Sequence, residues 1–227
     1  LITPSAILLF AAGLGTRMAP LTNTRPKPLV NVAGRALLDH ALAHCTGLRT
    51  VVNVHYFADQ IRDQLAQTNV MISNESKQLL ETGGGLKHAL PLLDSNPVLT
   101  MNTDAVWKGP NPVHVLSQTW MPAEMESLLL LIPRAHAVGH TGSGDFDIDG
   151  SGRLTRGTSY VYSGVQIICT DGLADILENK FSMWALWDRM LNRKTMFGAV
   201  YDGQWCDVGS LDSIKIAEDM LAGGDDA

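Results

Sequence analysis

Cysteine is scarce in this chain and never paired. Cys45, Cys169 and Cys206 stand far apart, with no Cys-x-x-Cys among them. An odd, scattered set argues against a disulfide framework or a zinc knuckle and for a reducing cytosol, so a cytoplasmic location is expected. Charge is also thin, at 18% of residues, and it leans negative, with 17 Lys and Arg against 23 Asp and Glu. So acidic a chain offers no broad stripe for a nucleic-acid backbone, although local cations can still hold a small anion. No apolar run approaches the ~20 residues that span a bilayer. Neither nucleic acid nor a membrane is an expected partner. The chain opens Leu1-Ile2-Thr3-Pro4 without an initiating Met and reads as trimmed.

Apolar residues are plentiful. At 45% of 227 residues they rule out disorder of the whole chain and supply a real core. The first half alternates apolar runs with amphipathic ones. Ala6 to Ala11 is a strand buried on both faces, and Thr50 to Val54, Asn69 to Ser73 and Pro97 to Met101 are further strands. Helices are expected over Ala36 to Cys45, Ala58 to Gln67 and Leu86 to Leu93. This rhythm implies an α/β fold with a doubly wound, mostly parallel, Rossmann-like sheet. Ligands bind such sheets beyond the carboxyl ends of the strands. The loops after Phe10, Val54 and Met101 lie at that edge.

The second half is more mixed. Ser127 to Ile132, Tyr160 to Ile168 and Met196 to Val200 read as strands, Phe146 to Leu154 as a hairpin, and Met183 to Leu191 as a helix. Trp205 to Gly209 leads into a last helix that carries Leu211, Ile214, Ala217 and Leu221 on one face. One domain over 1–227 is expected. It divides softly near residue 110 into a nucleotide-binding half and a smaller α+β half on one shared sheet.

Gly13-Leu14-Gly15-Thr16-Arg17-Met18 directly follows the first strand. Its glycines allow a sharp turn that brings N–H groups to a phosphate, and Arg17 adds a planar donor fork. It lacks the third glycine of a dinucleotide fingerprint and the Gly-Lys-Ser/Thr of a P-loop. Alone, it reads most simply as an ordinary tight turn. Pro26-Lys27-Pro28 changes that reading, because two prolines fix one lysine in an extended segment. Arg17 and Lys27 together suggest two cations aimed at one polyphosphate.

Ala11 to Met18, Pro20-Leu21-Thr22 and Pro26-Lys27-Pro28-Leu29-Val30 resemble the signature of the sugar-phosphate nucleotidyltransferases. Glu81 to Gly85, Ala89 to Leu93, Gly144-Asp145-Phe146 and Trp205 to Gly209 are similar to its N-acetylmuramate 1-phosphate uridylyltransferase branch. The resemblance covers nearly the whole chain and implies a GT-A-like nucleotidyltransferase fold. It implies that a sugar 1-phosphate attacks the α-phosphorus of a nucleoside triphosphate, here UTP, and that pyrophosphate leaves. The acceptor is already an oxyanion, so the problem is repulsion between two anions. Arg17, Lys27 and Asp104 are the implied catalytic residues. The resemblance puts Ala12, Gly13, Gly15, Thr16, Arg17, Lys27, Glu81, Gly83, Gly84 and Asn102 on the nucleotide. It puts Asp145, Ser163 and Gly164 near the sugar, and Asn53, at the ligand edge of its strand, is a further candidate there.

The implied cofactor is Mg²⁺, held by Asp104 and Asp207, in keeping with its need for one or two carboxylates. Taken alone, Asp104 suits a strand-end turn and Asp207 the approach to a helix. Thr103 stands where the family commonly has glycine, and its Cβ is expected to alter the loop or the base pocket. Three glycines before the expected helix at Leu86 are read as bare backbone for a planar base. Trp107 and Trp205 suit either a sugar face or core packing, whereas Trp184 and Trp187 suit the core.

Other features carry less. His40 and His44 have zinc spacing but no third ligand. His55 suits a capping role as well as a ligand role, and Asp225 and Asp226 read as a solvated tail. The length leaves no room for a β-helix or acyltransferase extension, so a single activity is expected, in a monomer by default. Three rivals follow: another pairing such as mannose 1-phosphate with GTP, a non-catalytic nucleotide-sugar sensor, and an NAD-dependent oxidoreductase. The missing third glycine, and the lack of an acidic residue after Val54, count against the last.

Overall fold

Every residue of the first strand is apolar because both of its faces are covered. In β1 (Ala6–Phe10), Ile7 and Leu9 enter one core layer and Ala6 and Leu8 the other. The computed structural model describes residues 3–223. The tail with Asp225 and Asp226 lies outside the described residues, as do Leu1 and Ile2.

After β1 come three single 3₁₀ turns, then β2 (Asn31–Val32), β3 (Arg35–Ala36) and α1 (Leu37–Leu42). β4 (Arg49–Val54), α2 (Ala58–Leu65), β5 (Met71–Asn74), α3 (Glu81–Leu93) and β6 (Val98–Asn102) follow. Next are β7 (Ala105–Lys108), α4 (Pro112–Thr119), β8 (Ser127–Pro133) and β9 (Ala137–Val138). The hairpin β10 (Phe146–Ile148) and β11 (Leu154–Arg156) leads to β12 (Tyr160–Ile168). α5 (Trp184–Arg193), β13 (Met196–Val200), β14 (Gln204–Asp207) and α6 (Leu211–Ala222) close the described chain.

The main sheet runs β11-β10-β12-β6-β1-β4-β5, with β8 on β12 and β13 on β8. β6, β1, β4 and β5 are parallel, so the loops after Phe10, Val54, Asn74 and Asn102 emerge at one edge. β12 joins antiparallel to β6, with Val165 opposite Met101, and carries the sheet into the second half. α1, α2 and α4 bury Leu38, Ile61 and Leu116 on one face. α3 and α5 bury Leu86 and Leu186 on the other. The expected mixed, doubly wound sheet is therefore the observed one.

Three readings need correction. α3 starts at Glu81 rather than Leu86, so Gly83, Gly84 and Gly85 lie inside its first turns. Added Cβ atoms would strike the Phe181 ring, the Asn179 carbonyl and the Glu75 carboxylate, respectively. Close packing on these neighbours outweighs the ~1 kcal/mol each glycine costs a helix interior. Lys27 is not in extended chain. Pro26 is extended, but Lys27–Leu29 forms a 3₁₀ turn closed by the Val30 N–H on the Lys27 carbonyl. Finally, residues 204–207 are a strand rather than a mere lead-in. β14 is the middle strand of a second sheet, β7-β14-β9, backed by α6 through Val106, Cys206, Val208 and Ala217.

Candidate active site

A cleft of about 340 Å³ opens at the shared edge of β1, β4 and β6. Gly15 makes its turn possible, with φ at +63° where a side chain is strained. A Cβ there would also sit 2.8 Å from the Cβ of Lys27. The lysine stem therefore crosses directly over the glycine, and the Thr22 hydroxyl locks the crossing by donating to the Gly15 carbonyl at 3.0 Å. Gly13 is different, since nothing lies within 4 Å of an added Cβ and the residue is exposed. Ala12, Gly13, Gly15, Thr16, Arg17 and Lys27 all line the cleft, as do Asn53, Glu81, Asn102 and Asp104.

Two carboxylates meet beside these cations. Asp104 follows β6 and Asp207 ends β14, and the antiparallel pairing of β14 with β7 sets Asp207 opposite Ala105. The Val208 N–H donates to the Asp104 carbonyl at 2.8 Å and fastens the junction. Lys27 Nζ lies 2.9 Å from Asp104 Oδ2, and its side chain is only 12% exposed. Burial raises the Asp207 pKa above the usual carboxylate range, and the charge of Asp104 raises it further. Lys27, Arg17 and His140 act in the opposite direction. Arg17 is exposed, lines the cleft and has no ion pair among the described residues; its Nη1 lies at Gly209, which the Asp207 carboxylate also approaches.

Thr103 is 3% exposed, and its hydroxyl donates to the Phe10 carbonyl at 2.8 Å. The side chain thus pins the residue after β6 to the end of β1.

Other expected site residues stand elsewhere. Gly83 and Gly84 are buried, do not line the cleft, and give both N–H groups to the Phe181 carbonyl. Their backbone is covered by the 179–181 segment rather than bared to the cleft. Glu81 and Thr82 form the cleft lip instead. Asp145, Ser163 and Gly164 lie outside the cleft walls, along β12. Asp145 Oδ2 accepts the Tyr162 N–H at 2.9 Å. Gly164 has φ +91° at the bulge between Tyr162 and Gln166, and a Cβ would sit 2.9 Å from the Asn102 Cβ. Asn53 is 2% exposed, and its Oδ1 accepts the Ala11 N–H at 2.7 Å.

Trp107 and Trp205 are core residues, edge-on to each other at 6.4 Å, which removes them from any sugar face. Trp184 and Trp187 pack with Phe146. His40 bonds the Val32 carbonyl and His55 the Glu75 carbonyl. His44 lies edge-on to Trp107, and burial, then Arg35 and His40, lowers its pKa to about 4. Burial pushes the Cys45 thiol to about 12, so it stays protonated and inert.

The sequence reading missed Glu75, Leu79 and Gly209 as cleft residues. The signal for Glu75 was available, because it follows β5 at the same edge as the loops that were singled out.

The profile of the MobA-like NTP transferase domain matches residues 7–129. An N-acetylmuramate alpha-1-phosphate uridylyltransferase from Caulobacter vibrioides is 37% identical, over 96% of this chain and 98% of the relative. The chain belongs to the MobA-like NTP transferase family. A uridylyltransferase of the same description from Neisseria meningitidis serogroup B is 32% identical over 95% of this chain and 97% of its own. Among solved structures, HddC from Yersinia pseudotuberculosis, crystallised with GMP-PN, shares the fold with a TM-score of 0.74. It is 21% identical over 96% of this chain and 99% of that one. Membership of an NTP transferase family points to a nucleoside triphosphate rather than a hydride carrier. Among the described residues no helix is long and apolar enough to cross a membrane.

Proposed function

We propose that this NTP transferase moves a uridylyl group from UTP to N-acetylmuramate 1-phosphate, giving the nucleotide-sugar and pyrophosphate. The observation that carries this reading is the meeting of Arg17, Lys27 and Asp104 on one flank of the cleft, with the Asp207 carboxylate close by at Gly209. The 37% identity to the Caulobacter enzyme over the full span supports the choice of substrates. The acceptor phosphate needs no base, since it is already ionised. Arg17 lines the cleft and offers the triphosphate two parallel donors. Lys27 supplies a point charge on a stem clamped over Gly15. Ala12, Gly13 and Thr16 present the turn, and Asn102 stands where β12 presses on it through Gly164. Together these groups hold nucleophile and leaving group in line and offset their repulsion.

The donor set fits a hard divalent ion. It consists of two carboxylates, with no third acidic, His or Cys ligand grouped with them among the described residues. Mg²⁺ takes few protein ligands and keeps its waters, so Asp104 and Asp207 would hold it. When bound, it supplies charge neutralisation at the phosphates. The acceptor sugar lies toward β12, a reading supported by the resemblance of Asp145, Ser163 and Gly164 to sugar-side positions. Free cysteines suit a reducing compartment, and the enzyme is assigned to the cytoplasm.

Pyrophosphate release from four nucleoside triphosphates against a panel of sugar 1-phosphates tests this. The expected best pair is UTP with N-acetylmuramate 1-phosphate. A clear preference for GTP with mannose 1-phosphate overturns the substrates, and release from no pair overturns the activity.

A further inference from the structure

Glu75 is a buried carboxylate with no ion pair among the described residues. It is 3% exposed, lines the cleft, and is satisfied by neutral donors alone. Its Oε1 accepts from Asn53 Nδ2 at 2.7 Å, and its Oε2 accepts the Leu80 N–H at 3.1 Å. A carboxylate only accepts, so the Asn53 amide group must face Glu75 and its oxygen must face Ala11. That oxygen takes the Ala11 N–H at 2.7 Å. Two relays thus leave one side chain. The first runs through Asn53 to the start of the glycine turn. The second runs through Leu80 to Glu81 and Thr82, the opposite lip of the cleft.

The surroundings are fitted to this pair. Glu81 has φ +63°, a left-handed conformation that its neighbours must hold. A Cβ on Gly85 would lie 2.7 Å from Glu75 Oε1 and 3.0 Å from Asn53 Nδ2, so α3 closes directly on both. An apolar side chain at position 75 would avoid the penalty of burying a charge. It would also leave the Leu80 N–H and Asn53 without their acceptor.

We infer that Glu75 and Asn53 are positioning residues that hold the two walls of the nucleotide side in register. This rests on reading the cleft as the triphosphate site. The two residues need make no contact with the reacting atoms.

Four proteins test it: wild type, Glu75→Gln, Asn53→Asp and the double variant. Whichever way the new amide turns in Glu75→Gln, one of the three hydrogen bonds is lost. Asn53→Asp sets two carboxylates against each other in a buried place. The double variant restores every bond. Its amide at position 75 donates to the carboxylate at position 53, and that carboxylate accepts from Ala11. The amide oxygen at position 75 accepts from Leu80, and the total charge is that of the wild type. The expected KM for the triphosphate rises about fivefold in Glu75→Gln, the scale of one lost hydrogen bond. It rises at least about tenfold in Asn53→Asp, as two like charges held together require. In the double variant it returns to within about threefold of wild type, because all three bonds are remade. The KM for the sugar phosphate stays level throughout. A double variant no better than Asn53→Asp overturns the role, as does a change confined to the acceptor KM or to kcat. If Asn53→Asp does not fold, tighter triphosphate use by the double variant than by Glu75→Gln carries the test, and the reverse order overturns it. Equilibrium UTP binding without acceptor separates the two readings. A wild type that binds no triphosphate removes the nucleotide site itself, whereas equal binding by wild type and Glu75→Gln removes only the positioning role.

Discussion

The glycine turn and the small sheet build the charged flank of one cleft by different means. The turn is local. Gly15, Thr22 and Lys27 lie within one short stretch, and a left-handed φ plus one hydroxyl clamp them together. The small sheet is long-range. Asp104 and Asp207 meet only because β14 pairs with β7 and Val208 bonds back to the Asp104 carbonyl. Cations arrive on a contiguous motif, and carboxylates arrive by strand pairing. A short motif is therefore enough to suggest phosphate binding, but it says nothing about where the opposing charges come from.

Substitutions can break this contrast, starting with the strongest. Asp104→Asn should slow pyrophosphate release at least about a hundredfold, since charge stabilisation of several kcal/mol is lost. Its circular dichroism should stay that of the wild type. Asp207→Asn should lose activity as well but melt higher in divalent-free buffer, because burial and Asp104 both disfavour that carboxylate. A lower melting point would show that the carboxylate holds the small sheet together.

Gly84→Ala should destabilise the fold by about 2–4 kcal/mol in denaturant melts, as overpacking against the Asn179 carbonyl does. Gly13→Ala, with open space around it, should stay within about 0.5 kcal/mol. If the two glycines behaved alike, the distinction between a packing glycine and a cleft glycine would fail. The smallest effect belongs to Trp205→Phe. Trp205 Nε1 is buried without a hydrogen-bond partner among the described residues, so removing it should leave the sugar-phosphate KM unchanged.

Much of the fold was legible because the apolar periods are strong. Tyr160–Ile168 and Met196–Val200 are strands over the very residues expected. What failed were places where a local pattern has two structural uses. Three glycines read as a loop, yet Phe181, Asn179 and Glu75 demand bare backbone inside a helix. Trp205-Cys206-Asp207 reads as a connector until β7 supplies its partner, and one sequence does not print strand pairing. Arg17 and Lys27 were legible from turn chemistry. Asp104 and Asp207 came together only through family resemblance. The position of Glu75 at that edge was legible, but its burial and its bond from Asn53 needed the structure.

The order β7-β14-β9 also governs when the molecule can become competent during synthesis. A nascent chain that has delivered residues 7–129 holds the glycine turn, both cations and Asp104. It still lacks the central strand of the small sheet and the second acidic group. A product terminated there is thus left with the cationic turn and one of the two carboxylates, and the second arrives only once residue 207 has been made.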